Sequence, residues 1–345
     1  MPLEAGRTLK IIANWSFSRA QRRKLPLAAV FSMTHYCNFM CPMCPFGDPD
    51  KARQLKLAAE HNMSTEQWKG AMTKAARYCI WSFMEGGEPT SRQDFIELVQ
   101  HLRNIHLPVT VVTNGSLLHN FDVDVLRQNV DKFCLSIDST FKDSYCRIRG
   151  VPPEVHDRVM SNLQMLDEHN INRYVNAVIT KWNADEFITG EYFDRIHKEF
   201  GIGLVTPTLV EDRVGVAHET LSPDTETIRK VAQGILRYRS THEAPRIGVP
   251  ALYWKQIVDF GRPMFKECGV WKGLTVLADG SVRVPCWKLA VPTQSYNILE
   301  HDIEEIWNMP EWENLKGCHE CEHLTCIWLS SQNIATGLQC IRNIS

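Results

Sequence analysis

The amino-acid sequence predicts an α/β fold: a partial (β/α)6 barrel of the TIM type, followed by a C-terminal cysteine-rich unit of β-hairpin plus helices. Three observations predict it. Strand-like and helical patterns alternate from about residue 28 to 210, the signature of a parallel sheet. The glycines, acids and cysteines least suited to ordinary turns fall at the ends of successive strands, where barrels of this kind collect their chemistry. Nine of the twelve cysteines fall in two groups, 37–44 and 268–340. Without a secretory signal, such grouping points to metal ligation rather than to a disulfide framework. The length of 345 residues suits one barrel with an appendage, and 44% hydrophobic residues suffice for its core.

Residues 1–27 read as an N-terminal extension. Its basic cluster, Arg19, Arg22, Arg23 and Lys24, reads as a solvated helix face rather than a lipid or RNA patch. Strands are expected over 29–34, 79–84, 109–113, 132–137, 174–180 and 202–209. Between them, Ser64 and Gln67 form a capping box, with Trp68, Met72 and Ala75 on one helix face. Ser91 is the expected cap of the next helix, which turns Phe95, Leu98, Val99 and Leu102 inward. Val155, Val159, Leu163 and Leu166 mark another helix, and Phe187, Ile188, Phe193 and Ile196 one more. The stretch 47–62 is charged and long for a βα loop; it reads as a solvated excursion, with a lid as the rival. Residues 28–210 would be the barrel and 211–265 a mostly helical connector, with Ile228, Val231, Ile235 and Leu236 at helical spacing. Residues 266–345 would be the cysteine-rich unit. Cys79 and Cys134 lie in or beside apolar strand runs, where a buried, inert thiol is the default.

The rim supplies a test within the sequence. Cys37–Cys44 follows the first strand, Gly86-Gly87-Glu88-Pro89 the second, Thr113-Asn114-Gly115 ends the third and Ser136-Ile137-Asp138 the fourth. All four fall on one rim, as a single active site requires.

Cys37, Cys41 and Cys44 form a C-x3-C-x2-C run. Three thiolates at that spacing can hold three irons of one 4Fe–4S cluster and leave the fourth open to a small molecule. Four-cysteine carriers leave no such opening, and an open position separates catalytic from structural metal sites. A structural zinc knuckle is the rival. The run resembles the signature of the radical S-adenosylmethionine (radical SAM) superfamily. The resemblance implies that the open iron binds the amino and carboxylate groups of SAM. One electron then cleaves SAM to methionine and a 5′-deoxyadenosyl radical, which takes a hydrogen atom from substrate.

The other rim motifs carry the same resemblance. Gly86, Gly87, Glu88 and Pro89 resemble the GGEP loop that receives the SAM ammonium; a tight strand–helix turn is the alternative. Ser136 and Asp138 point to one face of their strand and resemble contacts to the SAM ribose or carboxylate, with a helix cap as the rival. Arg149 resembles an arginine that meets the SAM carboxylate. Asn114 is similar, against a plain turn. Val178 and Asn183 match the region that flanks the adenine in relatives. Phe39 and Tyr36 would wall the cluster or simply pack. Cys146 is a candidate hydrogen-atom donor, although an unligated cysteine is more often inert.

In the C-terminal unit, Leu274–Leu277 and Ser281–Val284 flank Asp279-Gly280, a hairpin turn signal. A helix pattern over 303–307 and Cys318-x2-Cys321 follow. This resembles the SPASM or shorter twitch unit, which holds an auxiliary 4Fe–4S cluster. The resemblance implies Cys268, Cys286, Cys318 and Cys321 as one ligand set, with Cys326 and Cys340 over. Two clusters, one using His319, His323 or Ser330, is the main rival, and zinc another.

The resemblance implies an enzyme that starts dehydrogenation, epimerisation or decarboxylation by hydrogen abstraction from a small-molecule substrate, carbohydrate-like or nucleoside-like. Trp287 after Cys286 lowers the sulfatase-maturase option. A maturase of a ribosomally made peptide is the alternative, and an iron–sulfur electron carrier or metal scaffold the alternative of another class. A flavodoxin or ferredoxin is the implied electron donor. Net charge −2 and pI about 6.7 argue against nucleic acid. Ile11-Ile12 is too short for a signal or spanning segment, which gives a cytoplasmic expectation. Glu211, Asp212, Arg213 and His218 follow the sixth strand and would line the mouth or form a solvated loop.

Overall fold

Short runs rich in β-branched and small residues form strands buried on both faces, as a covered parallel sheet requires. In a computed structural model, which describes residues 25–210, 218–263, 272–283 and 296–308, eight strands make one sheet. They are β1 (Ala28–Ser32), β2 (Trp81–Glu85), β3 (Val109–Thr113), β4 (Lys132–Ser136), β5 (Arg173–Ile179), β6 (Leu204–Leu209), β7 (Arg246–Ile247) and β8 (Gly273–Val276). Their order is β7-β6-β5-β4-β3-β2-β1-β8, and each neighbouring pair is parallel. The first six are the six expected from sequence. β7 is two residues long, too short for any period to reveal.

The Asp279-Gly280 turn forms as expected: the Leu277 N–H donates to Ser281 O at 2.8 Å and the Arg283 N–H to Thr275 O at 2.9 Å. What the sequence did not reveal is where the hairpin's first strand goes. β8 pairs in parallel with β1, from Ala28 opposite Gly273 to Phe31 opposite Val276. It extends the barrel sheet past its first strand.

The helices are α1 (Lys51–His61), α2 (Thr65–Ala75), α3 (Phe95–Asn104), α4 (Val123–Asn129), α5 (Lys142–Arg149), α6 (Pro153–Glu168), α7 (Ala184–Thr189), α8 (Glu191–Phe200), α9 (His218–Leu221), α10 (Thr225–Thr241), α11 (Ala251–Phe260) and α12 (Ile303–Trp307). The Ser64–Gln67 capping box opens α2 as expected. Ser91 does not cap α3. A 3-10 turn over Pro89–Ser91 intervenes, the Ser91 hydroxyl donates to Glu88 O at 2.6 Å, and Asp94 takes the N-cap position. The pattern read as one helix around 187–196 is two, α7 and α8, broken at Gly190 with φ +89. Phe187, Tyr192, Phe193 and Tyr238 pack there as an aromatic cluster. The excursion 47–62 carries α1, capped by Asp50.

The buried core runs under the whole sheet, with Phe31 edge-on to Trp68 and Cys79 and Cys134 buried in it. No helix among the described residues is long and apolar enough to cross a membrane.

Candidate active site at the strand-end rim

Because all strands are parallel, the four motif loops share one edge, and hydrogen bonds tie them together. The cysteine loop after β1 turns twice, with the Cys44 N–H on Cys41 O (3.1 Å) and the Gly47 N–H on Cys44 O (2.8 Å). Cys37 and Cys41 are buried and Cys44 is half-buried; none is in a disulfide. Phe39 is buried, and its N–H points at Cys37 Sγ at 3.4 Å. Lys51, at the start of α1, donates to Phe39 O at 2.7 Å, so the excursion is clipped to the cysteine loop.

The β2 and β3 loops meet through Glu88. Its N–H donates to Tyr36 O at 2.9 Å. Its Oε1 accepts from Thr90 N (3.1 Å), Thr90 Oγ1 (2.5 Å) and Thr113 Oγ1 (2.6 Å), and Oε2 accepts from Asn114 N (2.9 Å). Glu88 is 1% exposed. Burial pushes its carboxyl above the usual range, against these hydrogen bonds. In this structure Glu88 is a buttress between loops. Gly87 explains how the loop comes so close. Its φ is +56, and a Cβ there would stand 2.1 Å from Tyr36 O. Pro89 is buried in the 3-10 turn that follows.

Asn114 also turns inward. Its Nδ2 donates to Asn38 Oδ1 at 2.8 Å, Asn38 Nδ2 donates to Ser116 Oγ at 2.9 Å, and Asn114 Oδ1 accepts from Ser116 N. This small network fastens the cysteine loop to the β3 loop. Asn38 and Ser116 were missed from sequence, since an amide between two cysteines carries no spacing signal.

A second network joins β4, β5 and α5. Asp138 is fully buried. Its Oδ1 accepts from Arg149 Nη2 and from Val178 N, both at 2.8 Å, and its Oδ2 lies 2.7 Å from Arg149 Nε. Asn183 Nδ2 donates to Asp138 O (2.7 Å) and to Val178 O (2.9 Å). The two acid oxygens of Asp138 face the Arg149 guanidinium. Arg149 reaches the cysteine loop, with Nη1 3.9 Å from Cys41 Sγ, and its carbonyl accepts from that thiol at 3.4 Å. Gly150, φ +62, lets the helix end approach Met40; a Cβ would stand 2.3 Å from Met40 O. Ser136, half-buried, ends β4 opposite Asn176 on β5. Cys146 is half-buried on α5, and the charges around it are those of Lys142, Asp143, Glu154 and Asp157 on α5 and α6. It joins neither network.

Cys268, Cys286, Cys318, Cys321, Cys326 and Cys340 lie outside the described residues, as do Arg19, Arg22, Arg23, Lys24, Glu211, Asp212 and Arg213 and the candidate alternative ligands His319, His323 and Ser330.

The cysteine loop fits an iron–sulfur cluster. Burial pushes the Cys37 thiol up to about 12, with Glu88 adding to it, and the Cys41 thiol to about 11, where Arg149 pulls the other way. A bound metal would deprotonate such buried thiols outright. Tyr145, fully buried one turn before Arg149, has a hydroxyl with no hydrogen-bond partner and shares its surroundings with Arg149, Asp138 and Cys41. Among the described residues, no three His, Cys, Asp or Glu side chains gather about one point as a single zinc ion requires. A four-iron cluster asks instead for one thiolate at each of three corners.

Residues 31–189 match the radical SAM superfamily model. The chain is 28% identical over 297 residues to a PqqA peptide cyclase of Rhizobium meliloti, covering 82% of this chain and 73% of that protein. It is 24% identical over 283 residues to a probable GTP 3′,8-cyclase of Sulfurisphaera tokodaii, covering 79% and 85%. The fold resembles that of Streptococcus suis SuiB bound to S-adenosylmethionine, with a TM-score of 0.70 and 17% identity over 88% of this chain and 70% of that one.

Proposed function

Residues 31–189 are a radical SAM domain, and from that premise we propose that this enzyme abstracts a hydrogen atom from its substrate with the help of SAM. The superfamily uses a 4Fe–4S cluster and SAM. Cys37, Cys41 and Cys44 would hold three irons of that cluster. When bound, the cluster supplies the electron that splits SAM to methionine and a 5′-deoxyadenosyl radical, the hydrogen-abstracting species.

The chain's own residues supply position and exclusion. The Gly86-Gly87 backbone, free of Cβ atoms, can present its carbonyls to the SAM ammonium, while Glu88 and Pro89 fix that loop. The Ser136 hydroxyl and the strand end at Val178 would meet the nucleoside part. Asn114 acts by fastening the cysteine loop, and Phe39 keeps water from the sulfurs. The single observation that carries the reading is the wiring of the cysteine loop. It is hydrogen-bonded to the β2 loop through Tyr36 O, to the β3 loop through Asn38, and to α5 through Cys41. An electron carrier gains nothing from three cysteines set among such loops.

For the substrate, a nucleoside-like or carbohydrate-like small molecule draws support from the GTP 3′,8-cyclase relative. Dehydrogenation, epimerisation or decarboxylation would follow, with a flavodoxin or ferredoxin as donor. A peptide substrate is the second reading, favoured by the PqqA peptide cyclase relative over 82% of the chain. Cys268, Cys286, Cys318 and Cys321 would hold an auxiliary cluster.

The test uses the anaerobically reconstituted, reduced protein with deuterated cell extract split into small-molecule and peptide fractions. Deuterium arriving in 5′-deoxyadenosine only from the first supports the small-molecule reading, and only from the second the peptide reading. No SAM cleavage in the loaded protein, or cleavage unchanged in Cys37→Ala, rules out the function itself.

A further inference from the structure

The sulfur of Cys41 faces a buried cation, Arg149. As a thiol it donates to Arg149 O at 3.4 Å. As an iron-bound thiolate it has no proton to give and can only accept, and the donor already in place is Arg149 Nη1, 3.9 Å from Sγ. Cys37, by contrast, meets the backbone N–H of Phe39, and the charge beside it is that of Glu88.

Arg149 cannot swing away cheaply. It is 8% exposed, and Asp138 holds it through Nη2 and Nε. Asp138 is itself pinned by the Val178 N–H, and Asn183 ties its carbonyl to Val178. The Tyr192 hydroxyl holds the preceding carbonyl, Ile137 O, at 2.5 Å. Four residues, Asp138, Val178, Asn183 and Tyr192, thus fix one guanidinium against one sulfur. The planar fork suits this arrangement: one edge grips a carboxylate while the remaining nitrogen points elsewhere.

We propose that Arg149, anchored by Asp138, is the positioning residue that donates to the Cys41 sulfur and sets the reduction potential of the SAM-binding cluster. The inference rests on the radical SAM reading above. Hydrogen bonds to cluster sulfurs and the net charge around a buried cluster are the protein's main levers on its potential. A positive group at the sulfur favours the reduced, more negative cluster, so it raises the potential. Asp138 opposes this charge while aiming it. The pair therefore predicts shifts of opposite sign for its two members, which a merely structural role would not produce.

The experiment is an EPR-monitored redox titration of the full-length, anaerobically reconstituted protein. It follows the signal that responds to SAM and vanishes in Cys37→Ala, which separates this cluster from any auxiliary one. Arg149→Met should move the midpoint to more negative potential. Asp138→Asn should move it to more positive potential. The double variant, Asp138→Asn with Arg149→Met, removes the charge pair whole and should lie below wild type and above Arg149→Met. If Arg149→Met does not fold, the order of the other two against wild type decides. Potentials that stay at the wild-type value, or shift in any other order, overturn the proposal. Absence of a SAM-responsive signal in the wild-type protein overturns instead the radical SAM reading on which it rests.

Discussion

Two carboxylates are buried on the same rim and are held in opposite ways. Glu88, between β2 and β3, is surrounded by neutral donors: two hydroxyls and two backbone N–H groups. Asp138, between β4 and β5, faces a guanidinium and one backbone N–H. The first arrangement closes on itself and holds loops at fixed distances. The second leaves one nitrogen of its cation free to reach outward, and that nitrogen meets a cysteine sulfur. One side of the rim is a frame; the other is a frame with an electrical output. Removing parts of each should separate the two roles.

The largest effect is expected on the charged side. Arg149→Ala leaves Asp138 buried without its cation, a change that costs about 3–5 kcal/mol. Urea unfolding of the protein without cofactors should show it. The double change Asp138→Asn with Arg149→Met removes both charges and should recover most of that loss, since a buried pair replaced whole is often nearly neutral. If the double variant is as unstable as the single one, the pair's value lies in packing and hydrogen bonds rather than charge.

Glu88→Gln is the matching change on the neutral side, expected at about 1–3 kcal/mol, the cost of an unsatisfied buried group. Every donor around Glu88 needs an acceptor, and Gln supplies only one oxygen. If that oxygen stays with Thr90 and Thr113, the amide faces the Asn114 N–H; if it flips, the amide faces the Thr90 N–H. Either orientation opposes two donors. A loss as large as that of Arg149→Ala would show that the two carboxylates are not held differently after all.

Asn38→Ala should cost less, about 1 kcal/mol for its hydrogen bonds to Asn114 and Ser116. Its readout is iron content after reconstitution. A cysteine loop cut from the β3 loop should load less iron than wild type even though all three thiols remain. Full iron loading would mean that the contacts of Tyr36, Lys51 and Arg149 suffice to hold the loop.

These residues also mark how far sequence reaches. The six barrel strands were legible because short runs of apolar and β-branched residues alternate with helical patterns, and three of the four rim motifs because glycine, proline and cysteine stand out at strand ends. The addition of β8 to β1 was not legible, since a hairpin strand looks alike whichever edge it joins. Nor was the inward turn of Glu88, Asp138, Arg149 and Asn114. Sequence indicates that a polar side chain stands at a strand end; only the surrounding hydroxyls and amides decide whether it faces a ligand or its neighbours. Thr90 and Thr113 carry that decision for Glu88, and no spacing rule singles them out.

The smallest expected effect concerns pH, and it tests the neutral side most directly. Burial holds the Glu88 carboxyl above its ordinary value of 4.5, and no cation is among the groups that pull it back. A carboxylate with a raised folded value binds its proton more tightly in the native state than in the unfolded chain. Its contribution to stability is then fully present below about 4.5 and is lost as pH rises through the folded value. The stability gap between wild type and Glu88→Gln should therefore narrow from acid to neutral pH. A gap that widens instead would mean that the four donors outweigh burial, with Glu88 held as an anion without any counter-charge.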